Sequence, residues 1–337
     1  MSVTTPACYL ETAEPVLRLL PAVLLFAACS RREAQATPPA AATPTGTLRP
    51  ARFAGSWYPG DPAALTPLLD RDLGLARPLE GGDPVLAVVS PHAGIQFSGA
   101  TAGTALGVLR GRPVRRVILV GPSHHLYYHG LALPPPEMTG YATPAGTLPI
   151  DRDAIGALRG APGFGGPAAA HAPEHSLEMV AIFLARALPG VPIVPMVAGD
   201  LGDSGEVHAI AARLAATLRP SDVVVISSDF THYGPNYDYI PFTTDVAENL
   251  QKYADEATLA LAAADLAAFD AHLTATHDDI CGREGLRLLM ALLPPGARGE
   301  RVAFDTSGRE TGDYTNSVSY AGLVFRGKSP WGATGRH

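Results

Sequence analysis

From about residue 51 to residue 326 the chain alternates two kinds of hydrophobic pattern. Short, near-continuous aliphatic runs occupy residues 85–90, 116–120, 192–197, 222–227 and 318–325. Runs of that length, rich in Val and Ile, are expected to be strands buried on both faces. Between them, apolar residues recur at helical spacing. Val207, Ile210, Leu214 and Leu218 mark one helix, opened by Asp203 and Glu206 as a capping pair. Residues 177–188 form another that stops at Pro189 and Gly190, and Leu286, Leu289, Met290 and Leu293 are the apolar face of a third. Buried strands separated by amphipathic helices predict an α/β class: one α/β/α domain with a largely parallel central sheet. No internal repeat or second linker breaks it.

The N-terminal stretch follows neither pattern. Residues 19–28 are an apolar run, too short for the roughly 20 residues that span a bilayer but suited to the core of an export signal. It ends "LLFAACS", a lipobox-like sequence that makes Cys29 the candidate for lipidation, with residues 1–28 as a lipoprotein-type signal peptide. The lead-in "ETAEPVLR" is acidic where such signals are basic, and initiation near Val16 would remove it together with Cys8. Residues 29–50, rich in Pro, Ala and Thr, read as a tether, and 327–337 as a tail. The location expected is export, with anchoring to a bacterial membrane through lipid alone. If the apolar run is instead a short buried helix, the protein is cytoplasmic.

Composition narrows the partners. The 337 residues are 47% apolar and 17% charged, which excludes wholesale disorder. A net charge of −7 with scattered basic residues leaves no footprint for a phosphate backbone, so nucleic acid is not expected as a partner. On the lipoprotein reading the mature chain holds one lipidated cysteine, Cys29, and one other, Cys281, so no intrachain disulfide framework is expected.

An open parallel sheet places its ligands beyond the carboxyl ends of its strands. His92 follows the first run in "SPHAGIQFSG", His124 and His125 follow the second in "VGPSHH", and Asp229 and His232 follow the fourth in "SSDFTHYG". Three strands thus deliver imidazole or carboxylate to one sheet edge, with His125 as a supporting residue. His171 and His175, with Glu174 and Glu178, open a helix and either support this site or satisfy the helix end. His129, His208, His272 and His277 read as structural. Cys281 precedes the third helix, where the helix dipole favours a thiolate; the alternative is a small buried core residue. Two imidazoles and a thiolate form a ligand set for Zn, Fe(II) or Cu with open coordination positions. Trp57 and Tyr58 in "SWYPGD" are candidates for lining a pocket, with packing into the core as the equal alternative.

These residues lie in stretches that resemble the Memo family, whose bacterial members are called AmmeMemoRadiSam system protein B: "FAGSWYPGDPAAL", "SPHAGIQFSG", "VGPSHH", "EHSLEMVAIFLA", "SSDFTHYG", "ICGREG" and "SVSYAGLVF". They run in family order across residues 51–326. Memo proteins are similar in fold to class III extradiol dioxygenases, and the resemblance implies His92, His124 and Cys281 as metal ligands and His232 as the acid/base histidine. The dioxygenases hold Fe(II) with two histidines and a carboxylate; a thiolate in that third place is softer and more oxidisable.

The resemblance leaves two readings ahead of a third. One is a redox metalloenzyme related to the dioxygenases, with a single transition metal ion, Fe(II) or Cu before Zn, and His232 oriented by Asp229 to move a proton. Another is a protein that carries metal or binds a partner without turnover. Metal-dependent hydrolysis is the third. Ser123 lacks a nucleophile elbow around it, which argues against a serine hydrolase. The partner is an unidentified small molecule or protein, and the family's gene neighbourhoods imply a pathway shared with AMMECR1-domain and radical-SAM proteins.

Overall fold

In the computed structural model, which describes residues 46–328 and residue 331, the elements run in chain order as follows. The first half holds β1 (Thr47–Arg49), α1 (Pro62–Leu73), β2 (Val85–Ser90), α2 (Ile95–Leu106), β3 (Arg116–Pro122), β4 (Leu131–Ala132), β5 (Met138–Thr143), β6 (Gly146–Pro149) and α3 (Arg152–Leu158). Then come α4 (Ser176–Ala187), β7 (Ile193–Ala198), α5 (Ser204–Ala215), β8 (Asp222–Ser227) and β9 (His232–Tyr233). The last part holds α6 (Val246–Ala262), α7 (Leu266–Thr276), α8 (Arg283–Leu292), β10 (Arg298–Thr306), α9 (Ser307–Thr311) and β11 (Ser317–Arg326). The expected signal peptide, Cys29, most of the tether and most of the tail lie outside the described residues. Two boundaries move. Thr47–Arg49, expected in the tether, is a strand whose Arg49 is buried, and Trp331, expected in the tail, is buried as well.

The main sheet has the order β10-β11-β2-β8-β3-β7-β4, with β9 added against β11. Its centre, β2-β8-β3-β7, is parallel throughout. Both edges are antiparallel: β10 pairs β11, β11 pairs β2, and β4 pairs β7. The hydrophobic run that became β11 carries no sign of strand direction, so a largely parallel sheet leaves its pairing open. Every residue of β2, β3, β7 and β8 is buried, as strands covered on two faces must be.

Neighbouring residues of β3 show the two covering layers. A Cβ on Gly121 would lie 2.6 Å from Ser176 Oγ at the start of α4, while Val120 turns the other way, within van der Waals reach of Gly285 on α8. Helices α2 and α4 share one layer, with α1 laid on both; α5, α6, α7 and α8 pack together in the other. Asp203 and Glu206 cap α5 reciprocally, as the spacing predicts. A smaller sheet, β1-β5-β6, lies beside α4. It is tied there by Glu178 of α4, which pairs with Arg49 and accepts the amides of Arg52 and Phe53 and the hydroxyl of Tyr58. Among the described residues no helix is long and apolar enough to cross a membrane.

Candidate metal centre

The carboxyl ends of β2, β8 and β3 are adjacent, so the loops leaving them meet. His92 leaves β2 and is 2% exposed. Its Nδ1 lies 2.7 Å from Ser227 Oγ, whose own proton is committed to the Ser176 carbonyl at 2.7 Å. Ser227 therefore accepts, Nδ1 carries the ring proton, and Nε2 is left with a lone pair. That nitrogen faces Cys281 Sγ at 3.3 Å. Burial, with the neighbouring His124, holds the His92 pKa well below the usual histidine range, which keeps this ring a neutral donor.

His124 leaves β3 and is oriented by Glu174. Its backbone N–H donates to Glu174 Oε2 at 2.7 Å and its Nδ1 lies 2.8 Å from Oε1, which also accepts the Ser176 amide at 2.9 Å. Burial alone would raise the Glu174 pKa, but the ring of His124 and these amides hold it well below the usual carboxylate range. A fixed carboxylate at Nδ1 turns Nε2 of His124 outward, the arrangement that orients metal-ligating histidines.

Cys281 arrives from the opposite layer, in the loop before α8. Gly282 behind it permits the approach: a Cβ there would lie 2.4 Å from Ser228 Cβ. The sulfur accepts the Asp229 amide at 3.3 Å. Burial first and then the carboxylate of Asp229 push its pKa well above the ordinary value, against the pull of the helix dipole.

One nitrogen of His92, one of His124 and the sulfur of Cys281 all lie within 4.8 Å of one another. Two imidazoles with outward-anchored Nδ1 atoms and one thiol fit the donor chemistry of a Zn, Fe or Cu site. A second overlapping group, His124, Glu174 and His175, meets the same distance criterion. Both Glu174 oxygens are already engaged by N–H donors, so that carboxylate orients the site. His175 stacks on His124 with ring centroids 4.3 Å apart and touches Trp57 at 4.5 Å. Burial, with His92 and His124 nearby, lowers its pKa to about 3.

These groups line a cavity of about 1150 Å³ whose wall also includes Trp57, Phe97, Asp229, His232, Tyr237 and Tyr320. His232 Nδ1 donates to the Asp279 carbonyl at 2.9 Å, which leaves Nε2 as the free nitrogen. The expected orientation of His232 by Asp229 is therefore replaced. Asp229 Oδ1 instead accepts the His92 amide at 2.8 Å, and burial raises its pKa against the opposing pull of His232. Of the two pocket aromatics expected, Trp57 lines the cavity and Tyr58 does not, its hydroxyl being spent on Glu178. His125 is exposed, touches the edge of the His175 ring at 6.3 Å and is absent from the cavity wall. Ser123 donates to the Leu126 carbonyl, away from any histidine. His171 is a satisfied core histidine between Tyr141 and the Ala132 carbonyl.

Sequence reasoning left the role of Glu174 undecided and missed Ser227 and the Asp279 carbonyl. Ser227 closes a buried strand at the site's own edge, a position where a hydroxyl needs a partner. A backbone carbonyl leaves no trace in side-chain identity.

The profile of the family described as "Memo-like protein" matches residues 49–324. The chain is 33% identical over 291 residues to a MEMO1 family protein of Methanopyrus kandleri, covering 81% of this chain and 97% of that protein. It is 30% identical over 287 residues to a MEMO1 family protein of Archaeoglobus fulgidus, covering 83% and 100%. With Protein MEMO1 of Danio rerio it shares 30% over 250 residues, 72% of this chain and 83% of that one.

Proposed function

This chain belongs to the Memo-like protein family, and from that membership and the geometry of the strand ends we propose that it is a redox metalloenzyme. His92, His124 and Cys281 would hold one transition metal ion, iron(II) or copper ahead of zinc, at the floor of the cavity. The observation that carries the reading is the convergence of two imidazole nitrogens and a sulfur within 4.8 Å, each imidazole anchored behind by Ser227 or Glu174. The ion would supply a Lewis-acid and redox centre with coordination positions left for a ligand.

The chain's own groups do the rest. Ser227 and Glu174 keep both Nδ1 atoms protonated and aim Nε2 of each ring. His232, held through Nδ1 by Asp279, can take or give a proton at Nε2 on the cavity side. Trp57, Phe97 and Tyr237 line the space above the floor. A carrier needs only a closed or flat site, whereas about 1150 Å³ of cavity accommodates a small-molecule substrate, and this favours turnover.

Elemental analysis of protein purified without added metal, followed by oxygen-uptake assays with catechols, tests the reading. We expect near-stoichiometric metal in the wild type and sharp loss in His92→Ala, His124→Ala and Cys281→Ala, with His208→Ala as the unaffected control. Full metal content in Cys281→Ala would leave a histidine-only site and overturn the assignment.

A further inference from the structure

The cavity wall is electrically one-sided. Asp200, Asp279, Glu284 and Asp313 line it, against one guanidinium, Arg283. Arg283 itself sits 3.8 Å from Glu284, which also holds Arg287 at 2.9 Å, so those charges are internally balanced. Asp279 and Asp313 pair with no cationic side chain among the described residues. A cleft with charges of one sign and low-dielectric walls concentrates ligands of the opposite sign.

The same wall is aromatic. Trp57, Phe97, Tyr127 and Tyr237 all face it. Tyr127 is 89% exposed beside the exposed Leu126, an apolar pair held in water at the cavity wall. Its hydroxyl points to Asp200 Oδ2 at 3.4 Å, which puts a π face and a carboxylate side by side. Asp200 Oδ2 also lies 3.5 Å from His129 Nε2, whereas Asp279 and Asp313 are the wall's carboxylates left without a cationic partner among the described residues. Aromatic faces interleaved with such carboxylates are the chemistry that recognises an organic ammonium group: the rings attract the cation through their quadrupoles and take up its apolar body. An anion would meet desolvation with no guanidinium free to receive it.

We propose that this cavity selects organic cations, an ammonium carried on an aromatic or aliphatic body, over neutral and anionic molecules of the same shape. The proposal rests on reading the cavity as the ligand site, but it does not require the metal to be bound. Trp57 supplies the readout, because the chain has two tryptophans and the other, Trp331, does not line the cavity.

The experiment titrates the full chain, stripped of metal by a chelator, with phenethylamine, phenethyl alcohol and phenylacetate, following tryptophan fluorescence. Phenethylamine should bind about tenfold or more tighter than phenylacetate, with the alcohol between them, and the preference should shrink as salt is added. Asp279→Asn with Asp313→Asn, both partly exposed positions that do not threaten the fold, should remove most of the preference. Trp57→Phe should lose the signal. No binding of phenethylamine, equal binding of the three probes, or a preference untouched by the double substitution overturns the proposal. Metal content measured separately keeps the two readings apart: amine selectivity in a chain that never binds metal would sink only the metal centre.

Discussion

Glu174→Gln is the most incisive perturbation, because it changes one atom behind the centre and leaves every proposed ligand in place. Glu174 accepts three N–H groups: the His124 amide at Oε2, and His124 Nδ1 and the Ser176 amide at Oε1. A glutamine must put its NH₂ where one oxygen stood, so at least one donor loses its acceptor whichever way the amide turns. If the NH₂ replaces Oε1, two donors lose theirs and His124 is free to swivel. Removing a hydrogen bond to a charged acceptor costs about 1.5–3 kcal/mol. Loss of an outer partner of a ligating histidine typically costs ten- to a hundredfold in metal affinity, about 1.4–2.7 kcal/mol. The two estimates agree, so Glu174→Gln should weaken the site by that factor.

Competition with a chromophoric chelator, using redox-silent zinc(II), reads the affinity. Thermal unfolding of the metal-free protein, measured alongside, separates misfolding from mis-aiming. The pH dependence has a definite sign. Because the folded Glu174 pKa lies below its unfolded value near 4.3, its stabilisation is fully present above that value and fades as pH falls toward the folded one. The stability gap between wild type and Glu174→Gln should therefore be flat above about pH 5 and narrow in acid. A folded variant that holds zinc within about twofold of wild type would refute the idea that this carboxylate aims His124.

Three further outcomes follow from the structure's contacts and a fourth from the sequence. His232→Ala should keep its metal and lose roughly a hundred- to ten-thousandfold of any turnover; metal loss in this variant would make His232 a ligand. In a chain with Cys8→Ser and Cys29→Ser, metal-free Cys281 should react with iodoacetamide at pH 8 more slowly than free cysteine does, because its thiol pKa is raised; fast alkylation would contradict the burial argument. Glu178→Gln should lower stability by about 3–5 kcal/mol in urea unfolding, since it strands buried Arg49, and a shift under 1 kcal/mol would show that the pair is replaceable. Cys29→Ala should abolish incorporation of a fatty-acid analogue, and equal labelling of wild type and variant would remove the lipid anchor.

The parallel centre of the fold was legible because its four strands are buried on both faces, which writes them as unbroken aliphatic runs. Boundaries at 85–90 and 222–227 coincide with β2 and β8 for that reason. Strand direction at the edges was not legible, since β11 has the same composition whether parallel or antiparallel to β2. For the site, strand-end position brought out His92, His124 and His232, each two to five residues past a buried run. Trp57 and Tyr58 could not be told apart, because adjacent aromatics in "SWYPGD" look alike until the chain turns one toward the cavity and the other onto Glu178. At Cys281 a helix dipole contributes about 0.3–1 kcal/mol at a surface, and burial beside Asp229, invisible in the sequence, opposes it.

One loop joins what the strands alone would leave separate. Residues 278–281 carry the Asp279 carbonyl that holds His232 and, two positions on, the sulfur of Cys281. The loop is itself pinned by Asp278, 3% exposed, whose Oδ2 lies 3.1 Å from His272 Nε2, and by Ile280, which is fully buried. A shift of this loop would move the free nitrogen of His232 and the thiol together, while His92 and His124 stay fixed by Ser227 and Glu174. The two proposed imidazole ligands are thus built on the sheet edge, and the thiol and the carbonyl that braces His232 come from a single loop of the facing layer. Asp278→Asn should therefore disturb metal affinity and the His232 ring together, and an NMR titration of His232 with zinc competition on the same sample reads both. If the Asn variant shifts one and leaves the other at its wild-type value, the loop does not act as a unit.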